Sequence, residues 1–182
     1  AKFPVILSGA GVVIGDAINE CKALAEKLDA PVCNGYQHND SFPGSHPLAV
    51  GPLGYNGSKA AMQLISKADV VLALGTRLNP FSTLPGYGID YWPKNANIIQ
   101  VDMNPDRIGL TKKVTVGIAG DAKQVAKQIF DKLSSNAGDS GREDRKNLIH
   151  QTKSAWLQTL TSLDHEDDDP GTVWNKEARE RD

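Results

Sequence analysis

A parallel α/β fold, one sheet covered by helices on both faces, is what the sequence predicts, and three observations carry the prediction. Short apolar runs alternate with segments of helical period. A glycine-rich turn, Gly9-Ala10-Gly11, joins the first run to the first helical segment. The run Asp69-Val70-Val71-Leu72-Ala73-Leu74-Gly75 is apolar through its middle, the pattern of a strand buried on both faces. With 182 residues, 40% of them hydrophobic, the chain has the material for one domain of up to about 200 residues with appendages.

Pro4 to Ser8 reads as the first strand. After the glycine turn, Ala17, Ile18, Cys21, Leu24, Ala25 and Leu28 recur at helical spacing. Asp29-Ala30 then turns the chain into a second buried strand, Pro31 to Gly35, entered through a proline. His46 to Gly57, rich in glycine and proline, reads as a long constrained crossing before a helix over Ser58 to Lys67, on which Ala60, Ala61, Leu64 and Ile65 share a face. Asn97 to Asp102 and Val114 to Ala119 are two more strands, and Asp121 is placed to cap a helix with the stripe Val125, Ala126, Ile129, Phe130 and Leu133. Near Ser134 a polar, glycine-containing stretch ends the pattern, so the compact domain is expected over 1–133. Residues 134–182 are expected to form a linker: a helix from Arg142 to Leu163 with Ile149, Trp156, Leu160 and Leu163 on one side, an acidic break from His165 to Pro170 that reads as solvated, and Trp174 in a charged tail.

Lys and Arg number 20 against 22 Asp and Glu, a net charge of -2, so no reservoir of positive potential exists for a polyanion and nucleic acid is not an expected partner. No apolar run approaches the roughly 18 residues that span a bilayer, and the start Ala1-Lys2-Phe3-Pro4 lacks a targeting pattern. A cytoplasmic location without membrane contact is the expectation. Cys21 and Cys33 read as core thiols, and His38, His46, His150 and His165 have neither an i+4 partner nor a cysteine cluster, so no metal site is expected. Neither a G-x-S-x-G elbow nor a phosphate loop ending in Gly-Lys-Ser/Thr occurs, and no catalytic residue is assigned.

Ligands of open parallel sheets sit outside the carboxyl ends of the strands, so the residues there are the candidates. Gly9, Gly11 and Gly15 either point free N–H groups of the following helix at an anion or serve only a tight turn. The second strand ends in Cys33-Asn34-Gly35-Tyr36 without the acid that would hold ribose hydroxyls, which disfavours NAD. Arg77 follows the most hydrophobic strand and suits either a phosphate or carboxylate ligand or a structural ion pair. Asp102 and Asp121 end later strands, each as a ligand acceptor or as a cap of its own turn or helix. Asn79 to Pro93 gathers Phe81, Tyr87, Tyr91 and Trp92 in one long loop, which needs a surface to cover: its own sheet, another domain or a subunit.

The succession Gly9-Ala10-Gly11-Val12, Ala30-Pro31-Val32, His46-Pro47-Leu48, Gly51-Pro52-Leu53-Gly54-Tyr55-Asn56-Gly57, Ala68 to Leu78, Ile99 to Pro105 and Gly120-Asp121-Ala122 resembles the central domain of thiamine-diphosphate-dependent enzymes over residues 1 to about 133. More narrowly, Gly35 to Asp40 and Asn79 to Pro93 resemble the sulfoacetaldehyde acetyltransferase subfamily. The resemblance implies a Rossmann-like sheet of the DHS-like NAD/FAD-binding type. It also implies a parent enzyme that uses thiamine diphosphate, Mg²⁺ and phosphate to turn sulfoacetaldehyde into acetyl phosphate and sulfite. Family enzymes activate the cofactor with a glutamate of a preceding domain and hold Mg²⁺ and diphosphate with a Gly-Asp-Gly motif and a downstream Asn in a final domain. Those flanking domains and homo-oligomer subunits are the implied partners. Gly120-Asp121-Ala122 with Asn147 mimics the motif in spacing but lacks its last glycine, and it is rejected as a metal site.

Some relatives bind FAD or an adenine nucleotide across these strand ends, which by position places Gly9, Gly11, Arg77, Asp102 and Asp121 near a ligand. In the acetyltransferase subfamily no functional flavin is expected, and the crevice would then be a vestigial nucleotide site. Three readings follow from the sequence: a noncatalytic central domain of the acetyltransferase, the flavin- or nucleotide-binding domain of an acetolactate-synthase-like enzyme, and an autonomous nucleotide-binding module.

Overall fold

The computed structural model describes residues 1–55 and 57–163. The chain runs β1 (Pro4–Ser8), α1 (Ala10–Ile14), α2 (Ile18–Leu28), β2 (Val32–Asn34), β3 (Ala49–Pro52), α3 (Lys59–Ile65), β4 (Val70–Leu74), β5 (Asn97–Asp102), β6 (Val116–Ala119), α4 (Ala122–Lys132) and α5 (Arg142–Leu163). The six strands form one all-parallel sheet in the order β3-β2-β1-β4-β5-β6. Crossovers of this kind are right-handed. The connection from β1 to β2 moves toward one edge and that from β3 to β4 moves back, so α2 and α3 lie on opposite faces. α4 packs on α2, and α5 packs on α3.

β1 is buried along its whole length and β4 from Val71 to Leu74, as strands covered on both faces must be. Cys21, Leu24 and Ala25 of α2 lie buried on one side of that pair, and Ala61, Leu64 and Ile65 of α3 belong to the same core. α4 buries Ala122 and Ala126 fully, with Val125, Ile129, Phe130 and Leu133 packed against the core. Its C-terminus is held by Lys27, whose Nζ donates to the carbonyls of Phe130 and Leu133 and sits 4.4 Å from the Phe130 ring centroid, a cation at the negative end of a helix.

Three local expectations are corrected. The segment read as a crossing over 46–57 contains β3, paired with β2 from Val32↔Ala49 to Asn34↔Pro52. Pro52 is compatible with a ladder only because β3 is an edge strand. The helix after the glycine turn is preceded by a separate short one: α1 ends at Ile14 with Gly15 as its C-cap, and Asp16 at φ 50 re-aims the chain into α2. The last strand begins at Val116 rather than Val114, and as the other edge it is largely exposed.

α5 docks through its first turns. Arg145 is 1% exposed, and its guanidinium uses every N–H on a backbone carbonyl: Nε on Asp29, Nη1 on Lys2 and Ser140, Nη2 on Leu28 and Gly138. Arg142 pairs with Asp29 at 2.7 Å. The free carbonyls that end α2 thus find their donors in α5. Of the stripe read for this helix, Ile149 is buried, Trp156 half-buried and Leu160 exposed. The acidic break at His165–Pro170 and Trp174 lie outside the described residues.

Candidate nucleotide crevice

β1 and β4 are neighbours whose connections leave in opposite directions, so the loops at their carboxyl ends diverge and open a crevice of about 460 Å³. Gly9 and Gly11 line it after β1, Arg77 after β4, Asp102 as the last residue of β5 and Asp121 after β6. The five residues singled out from sequence are therefore brought to one cavity.

The glycines act there differently from an anion cradle. Gly9 N donates to Leu74 O at 3.1 Å and Gly11 N to Gly75 O at 2.8 Å, so neither N–H is free for a ligand. What glycine supplies is close approach between the two diverging loops. A Cβ on Gly9 would lie 2.6 Å from Thr76 Cβ, and one on Gly11 would lie 2.7 Å from the Cα of Gly75, itself at φ 60. At Gly9 and Gly11 the structure shows the tight turn, and α1, five residues long, is too short for a strong N-terminal dipole.

Charge on the crevice walls comes from side chains. Arg77 is exposed and, among the described residues, forms no ion pair, so the structural-pair alternative is not realised. Arg107 shares both properties and lines the same cavity. It sits in a short 3-10 turn, Pro105–Arg107, started by Asn104, whose Oδ1 accepts from Asp106 N at 2.9 Å. Below the turn Gln100 fixes the loop: its Nε2 donates to the carbonyls of Thr76 and Arg107, and its Oε1 accepts from Gly109 N. Arg107 was not singled out from sequence, although an arginine in the loop after a strand is the signal that singled out Arg77.

Asp102 is nearly buried, and its Oδ1 accepts from Asn104 N at 2.9 Å; Asp121 Oδ1 accepts from Gln124 N at 3.0 Å as the cap of α4. Each carboxylate serves its own turn through one oxygen, which leaves the second for a hydroxyl. The far wall is Tyr36, Gln37 and His38, placed after β2. Tyr36 N donates to Ser82 Oγ at 2.8 Å, and its ring stacks on Phe81 at 5.6 Å between centroids. Two guanidiniums without an ion pair among the described residues and two half-used carboxylates line one cavity, the donor and acceptor types that an anion carrying hydroxyls requires.

The aromatic loop divides. Tyr91 is buried and donates to Ser82 O at 3.0 Å, whereas Phe81 and Tyr87 stay more than half exposed. The residues present do not fit thiamine diphosphate with Mg²⁺. Among the described residues no group of three His, Cys, Asp or Glu side chains converges on a cation position, one Asp121 oxygen is committed to its helix, and Asn147 stands exposed on α5 outside the crevice.

The family model described as "Thiamine pyrophosphate enzyme, central domain" matches residues 1–129. The chain is 81% identical over 181 residues to the probable sulfoacetaldehyde acetyltransferase of Rhizobium meliloti, and 74% identical over 179 residues to the sulfoacetaldehyde acetyltransferase of Roseovarius nubinhibens. These alignments cover 100% and 98% of this chain, but the chain spans only 31% and 30% of those relatives' lengths. A probable acetolactate synthase large subunit of Methanocaldococcus jannaschii is 39% identical over 163 residues, 90% of this chain and 25% of that protein. With the matched segment running from β1 into α4 and containing every residue that lines the crevice, the chain belongs to the thiamine pyrophosphate enzyme central-domain family.

Proposed function

We propose that the chain is the noncatalytic central domain of a sulfoacetaldehyde acetyltransferase, an enzyme that uses thiamine diphosphate, Mg²⁺ and phosphate to convert sulfoacetaldehyde to acetyl phosphate and sulfite. The observation that carries this reading is the 81% identity to the Rhizobium meliloti relative along the whole chain, against 39% for the acetolactate synthase subunit. In this reading the diphosphate and the metal are held by flanking domains, and the partners of this chain are those domains and further subunits of a homo-oligomer in the cytoplasm. Its own part is to supply a rigid parallel sheet on which they assemble. The exposed Phe81 and Tyr87 belong to the surface they would cover. The test is product analysis of the full-length protein that contains this chain, with both substrates offered. Sulfite and acetyl phosphate from sulfoacetaldehyde support the reading; acetolactate from pyruvate with no sulfite would replace it with the synthase.

A specific observation favours a second role beside the first. Arg77 and Arg107, unpaired among the described residues, line the crevice together with Asp102 and Asp121, which supports binding of ADP or the ADP half of FAD. An absorbance scan of the purified chain distinguishes a flavin from a colourless nucleotide, and the absence of both would make the crevice a vestige.

A further inference from the structure

Away from the crevice, and sharing none of its lining residues, a groove of about 590 Å³ runs between the C-terminal turn of α2, the Pro47-Leu48 segment and one face of α5. Its floor is apolar, with Leu48 and Ile149 buried, and Leu157, 57% exposed, stands at its mouth. Lys146, His150, Lys153 and Leu157 recur every three or four residues, so they share the helix face that forms one wall.

The charges around the groove are not equivalent. Glu26 Oε1 lies 3.1 Å from His46 Nε2; the other ring nitrogen of His46 accepts from Leu48 N at 3.1 Å, which makes Nε2 the protonated one. Asp29 pairs with Arg142 at 2.7 Å and with Lys146 at 3.8 Å. Lys153 is the exception. Its Nζ donates to the carbonyls of His46 at 3.1 Å and Pro47 at 2.9 Å, and among the described residues no carboxylate comes within ion-pair distance.

Two of the three ammonium N–H groups are thus satisfied while the charge itself is uncompensated, and burial pulls the pKa of Lys153 below its ordinary value. From Lys146 to Leu163 the helix has no acidic residue to offset it. A half-buried cation with one spare donor above an apolar floor recognises an anion joined to an apolar body better than it recognises either part alone.

We propose that this groove binds an amphiphilic monoanion of the medium-chain carboxylate class, its carboxylate on Lys153 Nζ and its chain along Leu48, Ile149 and Leu157. The site is independent of the nucleotide crevice and of the proposed enzyme activity. Calorimetric titration of the 182-residue chain with octanoate tests it, with acetate supplying the anion without the tail and octan-1-ol the tail without the anion. Saturable binding of octanoate is expected, at least tenfold tighter than that of either control. Lys153→Met should weaken octanoate at least tenfold and leave octanol unchanged. Because Lys153 also ties α5 to the Pro47 segment, the exposed Leu157→Gln serves as a second variant whose fold is not at stake, and it should weaken octanoate severalfold. Octanol binding as tightly as octanoate, or octanoate affinity unchanged in Leu157→Gln, would overturn the proposal. So would octanoate binding that appears only after truncation behind Leu163, which would assign the groove to the chain's own acidic segment.

Discussion

Gly11 and Gly75 face each other backbone to backbone, at a distance that leaves no room for a side chain on either. Gly11→Ala places a methyl 2.7 Å from the Gly75 Cα, where no flexible side chain can give way, and should destabilise the fold by about 1 to 3 kcal/mol, the scale of core overpacking. Gly44, with open space around its Cβ position, is the control: its alanine variant should stay within about 0.5 kcal/mol of the parent in urea unfolding. Arg77 is proposed to serve a ligand instead of the fold. Being exposed, and unpaired among the described residues, Arg77→Ala should leave the urea midpoint unchanged and weaken ADP binding by roughly 1 to 3 kcal/mol. An equal loss of stability would show that the guanidinium serves the scaffold. At this scale the sequence revealed which residues meet but not what each contributes. A glycine that frees an N–H for an anion and a glycine that admits a neighbouring loop are the same letter, and only the Gly11 N–H on Gly75 O decides between them.

Helix and strand ends carry the next set of consequences. Asp121 both caps α4 and lines the crevice, so its two roles need separating. Asp121→Asn keeps an acceptor for Gln124 N and should cost a few tenths of a kcal/mol, whereas Asp121→Ala should cost about 1 kcal/mol, read by thermal unfolding. At the start of β4, Asp69 accepts from the N–H groups of Lys2 and Phe3. Burial acts to raise its pKa, but those donors outweigh it and hold the carboxyl below its ordinary value. A carboxyl depressed in the folded state adds stability that is present above its unfolded pKa and lost as pH falls through its folded one. The stability gap between the parent and Asp69→Asn, followed by urea unfolding, should therefore be widest near neutral pH and close only below about pH 4.

Legibility differed by element for a physical reason. The strands at the sheet centre, β1 and β4, are unbroken apolar runs and could be read directly, whereas β3 is an edge strand that tolerates Gly51 and Pro52 and so looks like a loop. The docking of α5 was equally hidden. It depends on an arginine buried among backbone carbonyls, and no hydrophobic period signals that.

For the molecule as a whole, the strand order places one crevice at the β1/β4 switch, and its walls carry guanidiniums, carboxylates and turn-forming glycines. The order itself was beyond reach of the sequence, because it depends on which way each crossover turns. Once two neighbouring strands send their connections in opposite directions, their loops part, and the cavity between them is lined by Gly9, Arg77, Asp102 and Asp121. In the proposed reading this sheet is a scaffold that holds its neighbours, with the chemistry supplied by flanking domains. The most direct test is sulfite release from sulfoacetaldehyde by the 182-residue chain alone, supplied with thiamine diphosphate, Mg²⁺ and phosphate, beside the full-length protein under the same conditions. Turnover by the full-length protein and none by the chain above a heat-inactivated control is expected; sulfite released by the chain alone would rule out a noncatalytic central domain.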